Sequence, residues 1–113
     1  MLPKNRRIPR KDFPYILKTG KRFNSPHFLL YVAKNEQENK SKFSFSVSKK
    51  VYKKASDRNK YRRRGYSAVS KQINNIADGH LYFFSFKKGK YPVKFTELQD
   101  EIISLFRSCG VLI

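Results

Sequence analysis

The sequence predicts a single α+β domain, a two-layer α/β sandwich in which helices pack on one mixed sheet. Three observations carry this. One strictly alternating segment and two short apolar runs have the period and length of strands. Other stretches repeat their apolar residues at helical spacing, and the elements follow in the order helix, strand, strand, helix, strand, helix. At 113 residues, with 39% hydrophobic and 15% aromatic side chains, the chain can fill one core, so residues 1–113 are expected to form one domain.

A short helix opens at Asp12 over FPYILK. Phe13, Ile16 and Leu17 share one of its faces, Pro14 lies in the first turn where its missing N–H costs little, and Gly20 ends it. FLLYVA, residues 28–33, is short and rich in strand formers, so it reads as a strand covered on at least part of both faces. The polar run KNEQENKSK suits a surface loop. In KFSFSVSKK, Phe43, Phe45 and Val47 alternate with Ser44, Ser46 and Ser48, which makes one face core and the other small and polar. Asp57 is the expected N-cap of a helix running to about Ala77, with Tyr61, Gly65, Ala68, Val69, Ile73 and Ile76 in its apolar stripe. Asn59, Arg63, Tyr66 and Ser70 are expected away from that stripe, with Arg58 and Arg62 at its border. Gly65 should weaken this helix by about 1 kcal/mol relative to Ala. Asp78 and Gly79 turn the chain into LYFFSF, a second buried strand. Thr96 is the expected cap of a last helix, with Glu97 and Asp100 in its first turn, Leu98, Ile102, Leu105 and Phe106 facing inward, and Gly110 closing it.

Charge is the strongest functional signal. The chain has 26 Lys+Arg against 8 Asp+Glu, a formal charge of +18. Such self-repulsion calls for a polyanion, and the long apolar run of roughly 18–20 residues that spans a bilayer is missing. The basic start also lacks the apolar stretch of a secretory signal, so the expected location is the cytoplasm, with nucleic acid as partner and no membrane. Cys109 is the only cysteine, which rules out an internal disulfide and reads as a small buried or half-buried side chain. His27 and His80 have no carboxylate or cysteine at catalytic or metal-binding spacing, and the acidic residues form no pair suited to acid–base or two-metal work. No catalytic residue and no metal ligand is therefore expected, and the chain alone is not a self-sufficient catalyst.

Seventeen of the cations fall in two stretches, eight in residues 1–22 and nine in residues 49–64. A smaller cluster comprises Lys87, Lys88, Lys90 and Lys94. The informative constellation is SKKVYKKASDRNKYRRRGY, residues 48–66. A strand delivers Ser48, Lys49 and Lys50 to a loop that returns through Lys53 and Lys54 to a helix presenting Arg58, Asn59, Lys60, Arg62 and Arg63. Guanidinium groups one turn apart on a rigid helix match phosphate spacing. Asn59 is neutral and suits a contact to the loop backbone or to a ribose 2′-hydroxyl. Phe13, Tyr31, Phe45 and Tyr66 are candidate stacking partners for bases. Alternation favours the core for Phe45, whereas Phe13 and Tyr31 fit a core or an RNA cleft equally well.

These residues resemble the protein subunit of bacterial ribonuclease P over nearly the whole chain. That family's hallmark is a strand ending in V-S-K-K, a short basic loop, and R-N-R-x-K-R opening a long helix. Val47, Ser48, Lys49 and Lys50 match the first part, and Arg58, Asn59, Lys60, Tyr61, Arg62 and Arg63 the last. Asn5, Arg6, Arg7, Asp12, Phe13 and Gly20 match its opening, Leu30 and Tyr31 its L-Y strand, and Phe95, Thr96, Glu97 and Leu98 its final F-x-E-L helix. Lys60 departs from the usual second Arg, Tyr52 from a usual Gly, and Arg64 and Gly65 from usual apolar residues. The resemblance implies about four strands with three helices and a left-handed βαβ crossover, similar to ribosomal protein S5 domain 2. It also implies work beside a catalytic RNA that removes the 5′ leader of precursor tRNA, as the protein subunit of an endoribonuclease. By position, Lys49, Lys50, Lys53, Lys54, Arg58, Asn59, Lys60, Arg62 and Arg63 would bind that RNA. Phe13, Leu17, Tyr31 and Ser48 would line a leader cleft between the sheet and the first helix. The protein would lower the Mg²⁺ requirement, with Mg²⁺ held through the RNA and no cofactor or small-molecule substrate of its own. On the residues alone, a ribosomal or general RNA-binding structural protein remains the alternative.

Overall fold

The apolar segments pair into one mixed sheet of four strands. The computed structural model describes residues 2–111 and contains α1 (Phe13–Thr19), β1 (Lys21–Asn24), β2 (Phe28–Lys34), β3 (Lys42–Ser46), α2 (Ala55–Gln72), β4 (His80–Phe86) and α3 (Phe95–Ser108). The strand order is β1-β2-β4-β3. β2 pairs antiparallel with both β1 and β4, while β3 and β4 are parallel, so α2 is the crossover of a βαβ unit.

Period-2 alternation gives the sheet two unlike faces. Phe28 and Leu30 of β2, Phe43 and Phe45 of β3, and Tyr82, Phe84 and Phe86 of β4 point to one side and build the main core with α2 and α3. Tyr61, Ala68 and Val69 of α2 and Leu98, Ile102, Leu105 and Phe106 of α3 close over them. The opposite face is only partly covered. There Ile16 of α1 is fully buried with Ile8, Ala33 and Leu81, and Tyr15 Oη donates to the Lys34 carbonyl at 2.9 Å, fixing α1 over one end of β2.

β3 is an edge strand, and the N-terminal segment partly covers it. The Ile8 N–H donates to the Phe43 carbonyl at 3.1 Å, and Arg7 forms a parallel bridge with Phe43. Two glycines adopt left-handed backbone where the turns require it: Gly79 at φ +90° before β4, and Gly110 at φ +73° after α3. At Gly110 the N–H groups of Gly110 and Val111 return to the carbonyls of Arg107 and Phe106, a Schellman close.

Several local expectations need correction. β1 was not legible, because KRFN is a polar edge strand in which Phe23 alone reaches the main core. α2 begins at Ala55, so Asp57 lies inside its first turn and Lys54 takes the N-cap position without a side-chain bond. The helix ends at Gln72, and a 3-10 turn at Ile73–Asn75 replaces the extension to Ala77. α3 starts at Phe95, which removes Thr96 from the cap and leaves Glu97 as the acidic residue of the first turn, with Asp100 beyond it. Tyr66, expected away from the core, is buried: its ring meets Phe45 edge-on at 5.1 Å and its hydroxyl accepts the Phe45 N–H. The first half of α2 lies so close to the β3 edge that its buried arc is wider than one stripe. Gly65 sets that distance, since a Cβ there would come within 2.5–2.8 Å of three Phe45 ring atoms.

Candidate nucleic-acid interface

The lysine-rich loop and the start of α2 form one continuous cationic surface. β3 ends at Ser46, and the chain turns on the Ser48 carbonyl, which accepts the N–H groups of Val51 and Tyr52. Lys49, Lys50, Lys53, Lys54, Asn59, Lys60 and Arg63 are exposed. Arg58 is different. Its Nη1 donates to the carbonyls of Tyr52 at 3.0 Å and Lys53 at 2.6 Å, so it fastens the loop to the helix as well as carrying charge. Arg62 Nη2 donates to Asn59 Oδ1 one turn back, which orients its guanidinium along the helix.

Tyr52 packs inward. It stacks on Tyr61 at 5.0 Å with an interplanar angle of 17°, and its hydroxyl donates to that of Tyr61 at 3.3 Å. Burial, then the Tyr61 bond, pushes its hydroxyl far above the usual tyrosine range. No non-glycine residue among those described has positive φ, so the turn does not require a glycine at position 52. Arg64 also has a structural role: it lies 5.2 Å over the Tyr61 ring and donates to the Val93 carbonyl at 3.2 Å.

The sheet face under α1 carries an aromatic cluster. Phe83 is its centre, stacked on Tyr31 at 5.8 Å and 21° and met edge-on by Phe13 at 5.0 Å. All three rings are half-buried. Leu17, one turn beyond Phe13, is 54% exposed, an unusual position for a large aliphatic side chain. Register places Ser44 beside Phe83 and Ser46 beside Ser85, so small hydroxyls floor the part of this face that α1 leaves open. Phe13 and Tyr31 are thus brought together, whereas Ser48 lies past the end of the strand among the lysines. Phe45 is in the core, stacked on Phe84. Sequence reasoning missed Phe83, since LYFFSF is too uniformly apolar to show which ring faces which side.

Along the outer edge of β3 run two open grooves of about 460 and 440 Å³. Arg7 and Tyr66 line both; Asn59, Arg62 and Arg63 border the first, and Lys4 and Lys42 the second. At the far end of the sheet, Glu101 accepts bonds from Ser25 Oγ (2.6 Å), the His27 N–H (2.8 Å) and His27 Nδ1 (2.7 Å), clamping the β1–β2 loop to α3. His27 Nε2 faces the Lys90 carbonyl at 3.0 Å, which gives this histidine a structural place. Among the described residues no three His, Cys, Asp or Glu side chains cluster as a metal site, and no helix is long and apolar enough to cross a membrane.

Comparison with known proteins places this geometry. A family model described as Ribonuclease P matches residues 2–110. The ribonuclease P protein component of Synechocystis sp. is 38% identical over 112 residues, covering 98% of this chain and 90% of that protein. That of Rickettsia canadensis is 32% identical over 108 residues, covering 85% and 89%. Among solved structures, the RNase P protein from Thermotoga maritima superposes with a TM-score of 0.80 at 25% identity, over 89% of this chain and 96% of that one. The Staphylococcus aureus RNase P protein gives a TM-score of 0.85 over 96% and 98%, a likeness of fold at 21% identity.

Proposed function

Because the chain belongs to the ribonuclease P protein family and is thereby a partner of ribonuclease P RNA in tRNA processing, we propose a division of labour between its two surfaces. The cationic loop and α2 hold the catalytic RNA, and the aromatic face under α1 holds the 5′ leader of precursor tRNA. The Phe13–Tyr31–Phe83 cluster carries this reading. Three half-buried rings on a sheet face floored by serines offer stacking surfaces to unpaired bases without demanding a sequence. Exposed Leu17 extends that apolar wall.

On the other surface, Lys49, Lys50, Lys53, Lys54, Lys60, Arg62 and Arg63 meet phosphates, with Asn59 orienting Arg62 and Arg58 holding the loop as it binds. Fixed cations replace condensed counterions, so the assembly needs less Mg²⁺ to bring leader and catalytic RNA together. The hydrolysis itself, and its metal ions, belong to the RNA.

The test is reconstitution with a bacterial ribonuclease P RNA at Mg²⁺ too low for the RNA alone. Protein plus RNA should remove the leader, and protein alone should cleave nothing. Cleavage without RNA, or no enhancement with it, overturns the proposal. Phe83→Ala should raise KM for precursor tRNA with a long leader more than for one with a single-nucleotide leader. Equal changes would remove the leader from this face.

A further inference from the structure

The open face of the sheet carries hydroxyls as well as rings, in a fixed order. Register aligns Arg22, Tyr31, Phe83 and Ser44 in one row across the strands, and Asn24, Leu29, Ser85 and Ser46 in the next. The rows lie two residues apart along each strand, about 6.7 Å. Ser44 therefore flanks Phe83 laterally, and Ser46 and Ser85 lie one row beyond it, on the side away from Leu81 and its α1 cover. Serines with a structural task in this chain are engaged: Ser25 Oγ donates to Glu101 and Ser41 Oγ to the Ala77 carbonyl. The hydroxyls of Ser44, Ser46 and Ser85 enter no such bond among the described residues, although all three side chains are half-buried.

Their surroundings say which part of a ligand they meet. On one side of Ser44 stands the Phe83 ring, and on the other Ser44 lines the groove bordered by Arg62 and Arg63. Ring, hydroxyl and guanidinium thus follow one another across the face as base, ribose and phosphate do within a nucleotide. Rings take base faces and cations take phosphate oxygens, which leaves the sugar to the serines. A serine hydroxyl both donates and accepts, and so does the ribose 2′-hydroxyl, whereas deoxyribose offers neither at that position. The short side chain also lets a sugar settle beside the ring.

Resting on the reading of this face as the seat of the precursor tRNA leader, we propose that Ser44, Ser46 and Ser85 read the 2′-hydroxyls of the leader and make the site selective for RNA over single-stranded DNA. Stacking alone is blind to the sugar, since every base has a π-face whichever sugar carries it. The serines are the part of the face that tells the two apart.

Holoenzyme reconstituted with a bacterial ribonuclease P RNA is given precursor tRNAs that differ only in the sugars of the leader nucleotides distal to the cleavage site. Replacing ribose there by 2′-deoxyribose should weaken binding roughly tenfold, the scale of one or two lost hydrogen bonds. A 2′-fluoro leader, which keeps an RNA-like sugar shape without the hydroxyl, should bind as weakly as the deoxy leader. The Ser44→Ala/Ser46→Ala/Ser85→Ala variant should hold all three leaders alike, at the level wild type shows for deoxyribose, because removing either partner of a contact removes the same interaction. The quantity read is the ratio of two affinities of one protein, which partial unfolding of a variant leaves unchanged. Wild-type binding that ignores the sugar, or a fluoro leader held as tightly as ribose, overturns the proposal. So do alanine losses that are equal on ribose and deoxyribose leaders, which would assign the serines to phosphate or base. A wild-type holoenzyme that binds precursor with a single-nucleotide leader as tightly as one with a long leader would instead overturn the leader reading beneath it.

Discussion

Replacing Gly65 by Ala sets helix propensity against packing. In an exposed helix the change would stabilise by about 1 kcal/mol. Here the new Cβ would lie 2.5 Å from Phe45 Cδ2, 2.6 Å from Cε2 and 2.8 Å from Cγ, all closer than real contacts allow. Phe45 cannot retreat easily. Its ring is stacked on Phe84 at 4.6 Å and 7°, is met edge-on by Tyr66 at 5.1 Å, and its N–H is bonded to the Tyr66 hydroxyl. Overpacking of this kind costs about 1–3 kcal/mol, and a clamped ring belongs at the upper end. Subtracting the propensity gain leaves a net destabilisation of about 2 kcal/mol. With an unfolding entropy of roughly 2.1 cal/mol/K per residue over this length, that lowers Tm by about 8 °C. Thermal melts and urea titrations of wild type and Gly65→Ala measure it, and the same pair in a Phe45→Leu background tests the cause. Once the ring is gone, Gly65→Ala should become stabilising. An alanine variant that melts at or above wild type, or a penalty that persists beside the smaller leucine side chain of that background, would refute close approach as the reason for glycine.

Three further outcomes follow from named contacts. Arg58→Ala should lower both RNA affinity and stability, the latter by about 1–2 kcal/mol because two loop carbonyls lose their donor, whereas Arg63→Ala should flatten the salt dependence of binding and leave the melt unchanged. Fluorescence-detected binding and thermal melts on the same samples separate the two. Glu101→Gln keeps the shape but cannot serve all three donors of the β1–β2 loop, so it should cost about 1.5–3 kcal/mol, read as a lower urea midpoint at unchanged m-value. Burial pushes the Cys109 thiol from 9.0 up to about 11, and burial followed by the nearby Tyr61 and Glu101 pushes the Tyr91 hydroxyl from 10.0 up to about 12. Both groups ionise first in the unfolded chain, so their stability contribution is complete below pH 9 and is lost as pH rises through 11 to 12. Cys109→Ala should make the decline between pH 9 and 11 shallower in denaturant titrations, and an unchanged slope would count against a buried thiol.

What the sequence by itself determined is what depends on neighbours along the chain. Alternation in KFSFSV assigned Phe43 and Phe45 to the core and the serines to the other face, because successive strand side chains point to opposite sides. The glycines at 79 and 110 marked turns that need left-handed backbone, and the run from Ser48 to Arg63 was readable as a basic loop entering a helix. Only the tertiary structure decided what sits beside what. β1 forms because β2 offers it a register from Lys21 with Val32 to Asn24 with Leu29, not because KRFN prefers a strand. Phe83 becomes the centre of the aromatic face because β4 lies between β2 and β3, placing it opposite both Tyr31 and Ser44. His27 looked unpartnered until α3 brought Glu101 within 2.7 Å of it. Gly65 reads as a helix defect in one dimension and as the contact point of helix and sheet in three. Arg7 lines one groove with Arg62 and Arg63 only because the N-terminal arm runs along the same sheet edge that α2 packs beside. Periodicity is local and survives in the sequence, whereas register, strand order and close approach are set by how apolar faces fit together, and those arrangements put the candidate binding groups side by side.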